Sequence, residues 1–312
     1  MKKQTKIAAV LSAAAFMMMV SGLPVYAASY GWVTEGDAKV YYDEDGYLTT
    51  DAWRKRGEDW FYLGEDGQIV KSAKIDEYYV DDEGKMVTNA WVELKNEEDP
   101  DSPETPDTFW YYFEKDGKSA VSKWVKFDSK WYYFDESGHM ATGKTEIDGA
   151  TYYLGTEKDG FMRTGWIRLE ENSHAPGASE SWYYFNSDGK MVTTQYDKKI
   201  DGSYYTFIDG KMQTGWVLMP SKSDVTDSNA ASPKITDYQY YGAAGDGKRA
   251  EGFRSIEGIS GIHAADEVYT FYFKAGKPYV SDKKGNSLFT INAKKYAFSD
   301  LGIMQTGRQI AN

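Results

Sequence analysis

The chain has no cysteine. No disulfide can brace it, and its stability has to come from packing alone. Histidine is scarce as well. Of the three, His139 falls in a turn, His174 in a Pro/Gly/Ser loop and His263 in "GISGIHAADE". None has a His or Cys partner at metal-ligand spacing. Long Leu/Ile/Val runs are missing beyond the first residues, which argues against a deep aliphatic core and against any later membrane span. Positive charge is short too, with 36 Lys+Arg against 48 Asp+Glu and a net charge of −12. Nucleic acid needs a basic surface and is excluded as a partner, while neutral and cationic ligands remain open. No "GxSxG", phosphate-loop or zinc-peptidase pattern occurs. Most carboxylates sit in "DxDG"-type turns, where turn chemistry explains them, and nothing singles out a glycosidase pair. The expectation is a binding protein without catalytic residues, metal or cofactor.

The first residues differ from the rest. Lys2, Lys3 and Lys6 precede the apolar "IAAVLSAAAFMMMVSGL", and Pro24 and small residues around Ala27 follow. This order predicts a secretory signal peptide over residues 1–27, and hence an exported protein. Its removal takes three lysines and no acid, leaving 33 Lys+Arg against 48 Asp+Glu, a net −15.

Aromatic residues are what the chain has in excess: 16% of it, with 26 Tyr and 10 Trp. They recur in a phrase. "WYYFDESGHMATG" at 131–143 returns as "WYYFNSDGKMVTT" at 182–194 and "YYVDDEGKMVTNAW" at 78–91. Doublets such as Tyr132-Tyr133, Tyr152-Tyr153 and Tyr183-Tyr184 keep step with the turn glycines Gly138, Gly160 and Gly189. A fixed period of this length marks a stacked architecture. In each copy "WYYF" reads as a strand with alternating faces. The acidic Gly cluster reads as a turn, the segment around Met as a short second strand, and "TG" as a lead into the next Trp. Hairpins are marginal alone and must stack to bury their rings. The predicted fold is all-β, an elongated solenoid of about eleven stacked β-hairpin repeats of roughly 20 residues.

Spacing between the leading Trp and the Trp of the "WYY" run locates insertions. It is 7 residues for Trp53 to Trp60 and for Trp124 to Trp131, but 19 for Trp91 to Trp110 and 16 for Trp166 to Trp182. The organisation expected is a signal peptide (1–27), repeats over 28–219 with loops near 95–109 and 170–181, a long loop or linker at 220–237, and divergent repeats over 238–312.

The repeated "KWYYFDESGHMATGK" unit resembles the cell-wall-binding (choline-binding) repeat family, over about residues 30–312. Related repeats occur in streptococcal glucan-binding proteins and in clostridial toxins. The resemblance implies noncovalent attachment to a bacterial envelope. Ligand cages would lie where successive hairpins meet, each built from the leading Trp, the "WYY" Trp, an aromatic of the next hairpin and a nearby Met. Such a cage suits a quaternary ammonium, which donates no N–H hydrogen bond but is attracted by ring faces at about 0.5–2 kcal/mol each. Many weak sites along one polymer add through avidity.

Carried over by position, one cage is Trp124, Trp131, Met140 and Tyr153. A second is Trp166, Trp182, Met191 and Tyr205, and a third is Trp53, Trp60 and Tyr79 with Ile69 in the Met place. Trp91 and Trp110 begin a fourth, with Ser119 replacing Met. Alternate copies lack both Trp residues and carry Glu77, Thr151 and Ser203 in the second place. The implied function is a secreted, noncatalytic, cell-wall-associated protein of a Gram-positive surface. Its implied partner is choline on (lipo)teichoic acid. A lectin-like module stacking sugars on the same rings, or a surface adhesin contacting proteins, stands as the alternative. The rings can also serve purely as glue between hairpins.

Overall fold

A computed structural model describes residues 30–97, 106–170, 180–220, 232–264 and 266–307. The expected signal peptide and the tips of the three insertions lie outside these residues. The chain divides into two compact units, Met1–Ala120 and Val121–Asn312.

Eleven antiparallel hairpins account for nearly all regular structure among the described residues. The first unit holds hairpins 1 (Gly31–Glu35 with Ala38–Tyr42), 2 (Ala52–Arg56 with Asp59–Leu63), 3 (Ala73–Ile75 with Tyr78–Val80) and 4 (Ala90–Lys95 with Thr108–Phe113). The second begins with hairpins 5 (Lys123–Phe127 with Lys130–Phe134), 6 (Lys144–Ile147 with Ala150–Tyr153) and 7 (Gly165–Glu170 with Glu180–Phe185). It continues with 8 (Gln195–Ile200 with Ser203–Ile208), 9 (Gly215–Leu218 with Tyr238–Tyr241), 10 (Gly252–Glu257 with Val268–Lys274) and 11 (Asn286–Ile291 with Lys294–Ser299). Hairpins 8 and 10 gain a two-residue third strand, Lys211–Met212 and Lys277–Pro278. Each hairpin is its own small sheet. No closed barrel forms among the described residues, and the one helical turn is Ile235–Asp237.

The strand partners differ in one respect from the sequence expectation. The "WYYF" strand pairs over its length with the strand of the leading Trp, while the Met segment returns only a single bridge, as in Phe134↔Met140 and Phe185↔Met191. The main turn is therefore the tip between the two Trp strands. In hairpin 5 it is Asp128-Ser129 with φ of 46° and 64°, the two-positive-φ geometry that suits strand twist. A tip without glycine is easily overlooked beside "DESG". The acidic Gly cluster makes a second, tighter loop. Asp135 Oδ1 accepts hydrogen bonds from the backbone N–H of Ser137 (2.9 Å) and His139 (2.8 Å), the side-chain-to-backbone closure expected of Asp in turns. Asp81 and Asn186 close their loops in the same way. The strands flanking 220–237 pair as hairpin 9, with Leu218 opposite Tyr238.

Burial repeats as strictly as the phrase. In hairpins 2 to 11 one residue at or beside the end of the second main strand is fully enclosed: Leu63, Val80, Phe113, Phe134, Leu154, Phe185, Phe207, Tyr241, Phe273 and Phe298 are all 0% exposed. Side chains of this size contribute about 1.5–3 kcal/mol each on burial, so each hairpin supplies its own thin core layer. The Met and the turn glycine form the rungs. A Cβ on Gly117 would come within 2.7 Å of Met86 Sδ, and one on Gly210 within 2.8 Å of Met191 Cε. The glycine of one copy is thus the seat for the Met of the copy before it. Neighbouring hairpins also share a backbone bond. Met86 N–H donates to Trp60 C=O (2.8 Å), Met162 N–H to Trp131 C=O (2.7 Å) and Met191 N–H to Thr151 C=O (2.8 Å).

Candidate aromatic ligand-binding faces

Four hairpins carry a Trp pair, and pairing puts the same set of side chains on one face of each. Directly opposite pairs are Trp53↔Tyr62 with Lys55↔Trp60, Trp91↔Tyr112 with Glu93↔Trp110, Trp124↔Tyr133 with Lys126↔Trp131, and Trp166↔Tyr184 with Arg168↔Trp182. Opposed residues share a face at about 4.5–5.5 Å between Cβ atoms, so each face reads Trp, Tyr, second Trp and one charged residue.

The leading Trp is held from both sides. Trp124 makes edge contacts with Tyr133 of its own hairpin (5.3 Å between centroids) and Tyr152 of the next (5.0 Å). Trp53 does the same with Tyr62 and Tyr78, both at 5.3 Å. Trp166 lies 5.1 Å from Tyr184, 4.7 Å from Tyr205 and 5.7 Å from Phe207. Edge-to-face pairs of this kind add about 0.5–1.5 kcal/mol beyond area burial. Trp53, Trp124 and Trp166 are thus packing residues between hairpins.

The second Trp is more open where the hairpin tip is short: Trp60 is 40% and Trp131 41% exposed. In the two hairpins with long tips it meets the leading Trp in a near-perpendicular corner, Trp91–Trp110 at 6.4 Å and 72°, Trp166–Trp182 at 6.5 Å and 82°. An exposed Trp face beside a fixed Tyr and Trp edge is a surface on which a methylated cation or a sugar ring can lie.

Placement differs from the sequence reading at two rings. Tyr78 and Tyr152, not Tyr79 and Tyr153, cross over to the leading Trp. Tyr79 instead stacks on Phe113 (5.9 Å) and Tyr153 packs against Phe185 (6.2 Å). Tyr205 does reach Trp166, because the turn after Phe207 is one residue shorter, Phe207 pairing with Met212. That shift places Tyr204, rather than Ser203, in the second-Trp position, and the Tyr204 C=O accepts the Arg249 N–H at 2.8 Å as Trp131 C=O accepts Met162. Met140 and Met191 sit against Gly160 and Gly210 as rungs. The face residue that the sequence reading passed over is the one opposite the second Trp: Lys55, Glu93, Lys126 or Arg168, each exposed. Its strict position two residues after the leading Trp was visible.

Burial, helped by nearby carboxylates, pushes Tyr62, Tyr79 and Tyr132 above the usual phenol range. Elsewhere, His263 is a structural clip: its Nδ1 accepts from Ile259 N–H (2.8 Å) and its Nε2 meets Leu301 C=O (2.9 Å). His139 is buried beside Asp135, with Nδ1 3.7 Å from its carboxylate. His174 lies outside the described residues. Among the described residues no three His, Cys, Asp or Glu side chains gather as metal ligands, and no helix is long and apolar enough to cross a membrane.

Comparison with known proteins gives three findings. Residues 121–166 match the family model of the choline-binding repeat, and residues 178–191 that of the cell wall binding repeat. The chain is 28% identical to glucosyltransferase-S of Streptococcus mutans over 193 residues, 56% of this chain and 10% of that protein. It is 26% identical to glucosyltransferase-I of Streptococcus downei over 310 residues, 88% of this chain and 17% of that protein. The chain thus spans less than a fifth of the length of these curated relatives. Two solved structures from Streptococcus pneumoniae have the same fold at a TM-score of 0.52. They are the modular autolysin LytC (21% identity, 89% of this chain, 53% of that one) and CbpJ (20% identity, 89% of this chain, 94% of that one).

Proposed function

Because the chain carries repeats of the choline-binding, cell-wall-binding family, we propose that it is an exported, noncatalytic protein that attaches to a bacterial envelope polymer through its second-Trp faces. The ligand is choline, or a similar cationic group, on teichoic or lipoteichoic acid. One observation carries the reading that the second-Trp position is where ligand binds: Trp60 and Trp131, at the same repeat position, leave two-fifths of their surface in solvent although the surrounding rings are packed. Packing has no use for a large apolar ring left open twice at one register. The acidic balance of the chain favours a cationic substituent over the anionic backbone that bears it. Each face alone is weak, and several faces on one polymer supply the avidity.

A second reading, sugar rings stacked on the same faces, is favoured by one observation. The Lys126 ammonium lies 5.7 Å from the centre of the Trp131 ring, and a competing cation would have to displace it. The test is retention on a tertiary- or quaternary-amine resin. Choline-type binding predicts release by free choline at an ionic strength where sodium chloride does not release the protein. Release by salt alone, together with binding to defined neutral glycans, would overturn the choline reading.

A further inference from the structure

Resting on the reading that the second-Trp faces bind ligand, we infer that the residue opposite the second Trp sorts the ligands by charge. Glu93 makes the Trp91–Trp110 face the organic-cation site, while Lys55 and Lys126 turn the Trp60 and Trp131 faces toward neutral, hydroxyl-rich ligands. The four faces share Trp, Tyr and Trp in the same register, and the side chain opposite the second Trp is where their charge differs. In hairpin 4 that side chain is a carboxylate set directly across from Trp110. Thr108 Oγ1 donates to Glu93 Oε1 at 2.6 Å, anchoring the carboxylate beside the Trp91–Trp110 corner. Lys95, the nearest cation on that strand, lies two pairs further toward the tip, opposite Thr108.

In hairpins 2 and 5 the same place holds an ammonium. The Lys126 Nζ already occupies a cation's position over Trp131, so a second cation meets both a filled ring face and like-charge repulsion. A neutral sugar meets no like-charge repulsion, and it can draw the ammonium aside as a hydrogen-bond donor. Its hydroxyl oxygens can accept from the ammonium's three N–H groups, and its C–H face can lie on the ring. In hairpin 7 the Arg168 guanidinium is ion-paired with Glu180 at 2.5 Å, so that face carries no net charge from this position.

Because all four charged residues are exposed on strand surfaces, exchanging them leaves the packed rings in place. The full chain, with Glu93→Lys, Glu93→Gln and Lys126→Glu variants, is titrated with choline chloride and with isomaltotriose, followed by Trp fluorescence and calorimetry. Choline affinity is expected to fall about tenfold in Glu93→Lys, equivalent to about 1.4 kcal/mol, and by a smaller factor in Glu93→Gln, with isomaltotriose binding strengthened in Glu93→Lys and little changed in Glu93→Gln. Lys126→Glu is expected to add choline binding and weaken isomaltotriose binding. Identical choline curves for wild type and Glu93→Lys would overturn the charge sorting while leaving the envelope-binding reading standing. A wild-type chain that responds to neither probe would overturn both.

Discussion

Phe185→Ala lowers the unfolding free energy by about 3–5 kcal/mol, the range for emptying a fully buried aromatic site. The Phe185 ring is 0% exposed, faces Gly165 in the hairpin register, bridges to Met191 and packs on Tyr153 of the preceding hairpin. One ring therefore closes its own hairpin, its own loop and the contact with its neighbour. A layer that thin has no second shell of aliphatic side chains to collapse into the cavity. The change is read as a shift of the urea midpoint of the far-ultraviolet circular dichroism signal, with Lys190→Ala, an exposed residue of the adjacent turn, as the control. A loss below about 1 kcal/mol, the scale of an exposed substitution, would mean that this layer does not carry the fold.

The second large effect separates the two members of a Trp pair. Trp166→Ala is expected to cost about 3–5 kcal/mol, because the ring contacts Trp182, Tyr184, Tyr205 and Phe207 and so joins two hairpins. Trp131→Ala is expected to cost less than about 1 kcal/mol, since its ring is 41% exposed. The same denaturation measurement ranks them. Equal costs for both would remove the division between a packing Trp and a ligand-facing Trp on which the functional reading stands.

Much of this was legible in the residues. The "WYYF…G.M" period located all eleven hairpins, because burying rings in thin layers forces the same residue types into the same places. The role of the Met was half visible. Its spacing from the glycine is plain, but the partner is the glycine of the following copy, as Met86 and Gly117 show, and only stacking brings them together. Which Tyr of a doublet crosses over was not legible. Tyr152 and Tyr153 are chemically identical and differ only in the face they occupy. Near Tyr205 a turn shortened by one residue slips the register, and a slip of one sends each side chain to the other face. The charged residue opposite the second Trp was in plain view at Lys55, Glu93, Lys126 and Arg168. Its meaning needed the strand pairing, because the residues it faces lie 5 to 17 positions away in the chain.

The central claim is that the second Trp of each pair is the surface that holds the envelope polymer. It is tested most directly by a chain with Trp60, Trp110, Trp131 and Trp182 all replaced by Ala, measured for binding to choline-substituted lipoteichoic acid immobilised on a sensor. The account predicts a β-type circular dichroism spectrum and cooperative unfolding, at a lower midpoint because Trp110 and Trp182 also touch the leading Trp, with polymer binding lost. A folded variant that still binds the polymer as the wild type does would contradict it.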